Sequence, residues 1–133
     1  MSHLVLDEHL SREEVFEPLR PWRSVQKIED LVPYETLKDD RILQILRRQQ
    51  QPTFITLDGD FFLRRHCDPR YCLLYFVIPR QQQSHLPDLL RRLFRPPAFK
   101  TKAAHMGKVV RISSERIEFW QVGEEKKQML SWR

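Results

Sequence analysis

Four aspartates stand where an α/β chain commonly does its chemistry. Asp7 follows the apolar run Leu4-Val5-Leu6, Asp58 and Asp60 follow Thr53-Phe54-Ile55-Thr56-Leu57, and Asp39 opens a stretch with helical spacing. Ligands of open α/β sheets collect outside the carboxyl ends of parallel strands, and helix starts that follow crossover connections lie on the same rim. Four carboxylates meeting there repel one another unless a divalent cation or a basic group neutralises them. Mg2+ or Mn2+ takes oxygen ligands in octahedral geometry, usually one or two carboxylates with water in the other places. Such a site binds a phosphodiester and activates water. Each residue also has an ordinary reading. Asp39 alone reads as a helix cap, and Asp58-Gly59 is common turn chemistry. It is the combination with a strand-terminal Asp7 that capping and turns do not explain.

The elements that must position these groups follow from hydrophobic periodicity. Leu4 to Leu6 reads as a strand, and Ser11 with Glu13 and Glu14 reads as the start of a helix over 11–20, ended by Pro21. A second strand over 24–28 leads to an irregular segment containing Pro33. Ile42, Ile45 and Leu46 have helical spacing with Arg47 and Arg48 on the other side, predicting a helix over 39–50. The β-branched and aromatic run 53–57 predicts a buried strand, followed by a short helix over 60–66. Residues 71–78 are all apolar or aromatic, as in a central strand covered on both faces. Leu86, Leu89, Leu90, Leu93 and Phe94 predict an amphipathic helix over 84–94 with Arg91, Arg92 and Arg95 outward. Two strands at 108–112 and 117–122 predict a hairpin. The fold class expected is therefore α/β, a mostly parallel sheet flanked by helices with an added C-terminal β-hairpin. Residues 1–98 form the α/β domain, and 99–133 a basic hairpin extension packed on it.

Length and charge bound the function. The 133 residues allow one domain, and 41% hydrophobic residues suffice for a packed core, which excludes whole-chain disorder. No apolar run approaches the roughly 18 residues of a spanning helix, and acids replace the bases of a signal peptide in MSHLVLDEHL. The expectation is a cytoplasmic protein without a membrane partner. The net charge of +5 is uneven: residues 1–90 carry 12 bases and 14 acids, residues 91–133 carry 11 and 4. That basic end suits a polyanion such as RNA, with Lys108, Arg111 and Arg116 presented from the hairpin, or is simply a solvated basic face. His66, Cys67, Cys72 and His85 lack regular zinc-site spacing, and reduced thiols are expected. Trp22, Trp120 and Trp132 either pack or stack on bases. Leu and Phe of the 84–94 helix fill the core or the seam of a homodimer.

Leu6-Asp7-Glu8 at the first strand, Asp39-Asp40-Arg41-Ile42-Leu43 opening a helix, and Thr56-Leu57-Asp58-Gly59-Asp60-Phe61 after the later strand resemble the PIN-like nucleases. The resemblance is to the short bacterial PIN-like proteins related to VapC-type toxin ribonucleases, and it covers residues 4 to about 78. It implies a PIN-like three-layer fold and a metal-dependent endoribonuclease, with an antitoxin protein as partner if the chain is the toxin of a toxin–antitoxin pair. It implies Mg2+ or Mn2+ held by Asp7, Asp39 and Asp58, with Asp60 as ligand or supporting carboxylate and Thr56 orienting them through its hydroxyl. The larger toxins carry a glutamate on a helix between the first and third acidic positions. Here the interval from Asp7 to Asp39 is short, and Glu29, Asp30 and Glu35 do not match it clearly. His9 stands where short relatives often have asparagine. The alternative is a catalytically reduced PIN-like module that binds protein or RNA.

Overall fold

The computed structural model describes residues 3–132 as an α/β fold on one seven-stranded sheet. The strands are β1 (His3–Leu6), β2 (Val25–Lys27), β3 (Pro52–Thr56), β4 (Cys72–Phe76), β5 (Lys108–Ile112), β6 (Arg116–Gln121) and β7 (Gln128–Ser131). Their order is β2-β1-β3-β4-β5-β6-β7, with the first five mutually parallel, β6 antiparallel to β5 and β7 antiparallel to β6. The first strand of the expected hairpin is therefore a full member of the parallel sheet, paired to β4 from Leu73↔Val109 to Phe76↔Ile112.

Alternation along the strands feeds two cores. Leu4, Leu6, Ile55, Leu74 and Val110 face one side, where they meet Val15 and Leu19 of the first helical segment and Leu86, Leu90 and Leu93. Val5, Phe54, Leu73 and Val109 face the other, against Ile42, Leu43, Ile45 and Leu46. The first segment joins a wide helical turn, Arg12–Phe16, to α1 (Glu17–Leu19); Ser11 caps it, its hydroxyl accepting from the Glu14 N–H at 3.1 Å. After the short α2 (Ile28–Leu31), α3 spans Asp39–Arg48 and α4 spans Leu86–Leu93. Each buries an apolar stripe and turns its arginines outward, as the spacing predicted. The expected helix over 60–66 is two separate 3-10 turns, Gly59–Phe61 and Arg64–His66, and the start of the 84–94 helix is a 3-10 stretch, Arg80–His85. The sequence reading missed α5 (Lys102–His105) and β7.

The paths between strands decide where the loops gather. The β1-to-β2 connection runs over the first face, and the β2-to-β3 and β3-to-β4 connections run the opposite way over the second. These three share one hand. The β4-to-β5 connection also runs toward β5, yet α4 lies on the first face beside α1, where the Arg91 Nη2 donates to the Pro18 carbonyl at 2.9 Å. It has the other hand, against the strong preference for a single handedness in such units. The consequence is local: the chain leaving β4 is led back across the ends of β3 and β1.

Candidate functional site

β1 lies between β2 and β3, and the chain leaves it toward β2 while later strands build on the β3 side. The carboxyl ends of β1 and β3 therefore flank the point where strand order reverses, the usual crevice for a ligand. Asp7 comes directly after β1, and the Thr56-Leu57-Asp58 segment follows the same rim from β3. Asp7 is 5% exposed, and its Oδ2 accepts the Thr56 hydroxyl at 2.6 Å. The Thr56 Oγ1 in turn accepts from the Asp58 N–H at 3.0 Å, so one hydroxyl fixes both acidic positions. The Asp58 carboxylate accepts from the Asp60 N–H at 2.9 Å, the turn chemistry expected of Asp58-Gly59. Gly59 lies close under Tyr75 on β4: a Cβ there would stand 3.2 Å from the ring and hydroxyl, so a larger residue would press on that side chain.

Asp39 is the first residue of α3, and the capping position belongs to Lys38, whose side chain makes no cap bond. Capping thus does not account for the Asp39 carboxylate. It faces Asp58 and Asp60 instead: one oxygen from each of the three lies within 4.8 Å of the others. Burial and then the charges of Asp58, Asp60 and Asp7 push the Asp39 carboxyl above its ordinary range, while His66 acts the other way. Asp7 stands beside this trio and shares a cleft with Asp58, but it is not among the three whose oxygens converge.

The donor set suits a hard cation. Oxygens on opposite sides of Mg2+ at about 2.1 Å stand about 4.2 Å apart, so a trio within 4.8 Å closes on such an ion with small side-chain movement. Among the described residues, the groups that meet this way are these carboxylates; His66, Cys67, Cys72 and His85 do not assemble into a zinc site. Cys72 is fully buried, and its thiol is pushed up by desolvation.

Two buried residues that the sequence reading passed over hold the rim together. Lys27, 1% exposed at the end of β2, donates to the carbonyls of Asp7 and Glu8 at 3.0 Å each and to that of Leu10, and pairs with Glu29 at 3.6 Å. Its ammonium shapes the loop that carries Asp7, and burial lowers its pKa. Gln83 bridges the loop to the segment after β4: its Oε1 accepts from the Ser11 N–H at 2.6 Å and its Nε2 donates to the Arg80 carbonyl at 3.1 Å. The lysine was detectable as a charge ending a strand next to Ile28; the glutamine gave no signal.

The expected RNA-binding residues are arranged differently from an open basic ribbon. Lys108 is half-buried, its Nζ donating to the Ala104 carbonyl and lying over the rings of Phe99 and Phe119. Arg111 and Arg116 both pair with the buried Glu118, at 3.1 and 3.5 Å, and Lys127 joins them at 3.6 Å. Trp22 packs on Phe94 beneath Arg23 and Arg91, and Trp132 donates to the Ser113 carbonyl at 2.7 Å under Arg92.

Fold and site together define an α/β protein with a carboxylate cluster at the switch point of its sheet. No family model, curated protein or solved structure matches the chain. No helix among the described residues is long and apolar enough to cross a membrane.

Proposed function

We propose that this protein is a Mg2+- or Mn2+-dependent endoribonuclease with a PIN-like fold. The observation that carries the reading is the convergence of Asp39, Asp58 and Asp60 within 4.8 Å at the rim where β1 and β3 end, with the buried Asp7 alongside. Among the described residues none of these four carboxylates has a lysine or arginine partner within salt-bridge distance, although such pairs are common elsewhere in the chain. Carboxylates left this way favour a cation that the chain does not itself supply. A divalent ion bound there supplies positive charge to a phosphodiester and a lowered pKa to a water. The chain's own part is positional: Thr56 holds Asp7 and the Asp58 backbone in one arrangement, and Lys27 fixes the loop behind Asp7.

A second reading is favoured by the position of Asp7. With its oxygen engaged by Thr56 and outside the converging trio, the site has three ligands, of which Asp60 is exposed. On that reading the domain binds metal and RNA without cutting. Incubating a fluorescent single-stranded RNA with the protein and Mn2+ separates the two. Cleavage that disappears with chelator and in Asp39→Asn and Asp58→Asn supports the nuclease. Metal-dependent binding with intact RNA supports the module, and neither metal binding nor cleavage refutes both. Expression that arrests growth in the parent but not in Asp39→Asn is the signature of a toxin.

A further inference from the structure

Beside the carboxylate trio lies a cleft of about 380 Å3 that Asp7, His9, Leu57, Asp58, Ile78 and Arg80 line. Its walls carry opposite charge. Asp7 and Asp58 stand on the side of β1 and β3, and Arg80 stands on the segment that leaves β4. The guanidinium of Arg80 has no ion pair or hydrogen bond with a described residue, whereas Arg41, Arg47 and Arg111 each hold a carboxylate. Arg80 shares the cleft with two carboxylates and stands beyond salt-bridge distance of both, so neither neutralises its guanidinium.

The chain invests structure in placing this arginine. The unusual hand of the β4-to-β5 connection brings residue 80 back toward β1 rather than away over the other face. Gln83, 6% exposed, then ties the Arg80 carbonyl to the Ser11 N–H, so a buried amide holds the Arg80 backbone against the loop that begins at Asp7. The side chain itself is exposed, free to meet a ligand.

We propose that Arg80 is a phosphate-anchoring residue and that the cleft takes one or two nucleotides of single-stranded RNA, the backbone phosphate resting on the guanidinium. The identity of the polymer rests on the nuclease reading above; the anion site rests on the cleft and Arg80. A planar guanidinium matches two phosphate oxygens at once, which a lysine does not reproduce. The volume lies near the lower end of the roughly 300–1,000 Å3 typical of small-ligand sites, a size that suits a short piece of a single strand. The acidic wall repels a bare phosphate, so uptake is strongest when a divalent ion neutralises that wall.

The test uses a fluorescent ten-nucleotide 2′-O-methyl RNA, checked on a gel to be intact after each titration, with anisotropy read across a salt series with and without Mn2+. Parent, Arg80→Gln and Arg80→Lys are compared, and Mn2+ affinity is measured separately by calorimetry. The expected result for Arg80→Gln is about tenfold weaker RNA binding, from one lost charge-assisted contact. Its log–log salt slope becomes shallower by about 0.7, while Mn2+ affinity and Tm are retained. Arg80→Lys keeps the slope and recovers part of the affinity. A parent that binds no RNA, or an Arg80→Gln variant with unchanged affinity and slope, overturns the proposal. A parent that binds RNA through Arg80 but takes up no Mn2+ overturns the nuclease reading and leaves the anion site standing.

Discussion

Asp39→Asn separates a metal centre from a helix start, because the two roles predict opposite changes in stability. At the dielectric of water, two unit charges 4.8 Å apart repel by about 0.9 kcal/mol, and Asp39 faces two such neighbours within that distance. Removing its charge without metal therefore relieves about 1–2 kcal/mol, the lower part applying because Asp60 is exposed and salt screens it. Against this stands the lost attraction to the positive end of α3, about 0.3–1 kcal/mol, and Asp40 remains in the first turn to keep part of that. No cap bond is lost, since Lys38 occupies the capping position. Repulsion wins by about 0.5 kcal/mol, a rise in Tm of about 2 °C for a chain of this length.

The assay is thermal unfolding in chelator at pH 7, repeated in Mn2+. In metal the order reverses: at a hundredfold excess over Kd the parent gains about 2.7 kcal/mol, and the variant, short of one ligand, gains much less. The pH dependence has a definite sign. A carboxyl whose folded pKa is raised stabilises the fold below its ordinary value near 3.8 and loses that contribution as pH rises through the folded value. The advantage of Asp39→Asn over the parent is thus complete at neutral pH and fades on acidification. A lower Tm for the variant in chelator at pH 7 refutes the argument, because it makes Asp39 a favourable helix-terminal charge and not a member of a repelling cluster.

Lys27→Met removes the donor to three carbonyls in the Asp7 loop and is expected to destabilise by about 2–4 kcal/mol in chemical denaturation, since buried carbonyls are left without partners. Glu118→Gln releases Arg111, Arg116 and Lys127 from a buried carboxylate; RNA affinity should rise and its salt slope steepen, and an unchanged slope shows that the hairpin does not touch RNA. Asp68 is held down to about 2 by Arg70 and Arg47, so its contribution is present above the ordinary value near 3.8 and lost as pH falls toward 2. Asp68→Asn should accordingly lower Tm at pH 7 and have little effect at pH 2.

What was legible in the sequence is what depends on near neighbours in the chain. The runs at 4–6 and 53–57 were legible as strands because one is a short apolar run and the other is β-branched and aromatic, each closed by polar turn residues, and 42–46 and 86–94 as helices because their leucines and isoleucines recur with helical spacing. The Thr56-x-Asp58-x-Asp60 segment was equally legible, being held by bonds that span two residues. β7 was missed because Gln128 to Ser131 is an exposed edge strand with no apolar alternation to reveal it. The bond from Thr56 to Asp7 joins residues 49 apart, and nothing short of the β1–β3 register brings them together. The same limit explains the hairpin arginines. Counting charges makes Arg111 a free base, whereas antiparallel pairing sets Arg111 opposite Glu118.

Arg80 shows a different gap, one of rule and not of range. Looking for polar side chains just beyond strand ends found Asp7 after β1 and Asp58 after β3; applied to β4, the same step points past Pro79 to Arg80. Attention to acids alone hid the base. Its position also needed the hand of a crossover, which no local pattern encodes. Had the connection from β4 passed over the α3 face like the one before it, Gln83 would have no route to Ser11, and Arg80 would lie away from Asp7. The departure from the usual hand and the opposite charge across the cleft are therefore one feature: the path of the chain between β4 and β5 sets a cation against the carboxylate rim.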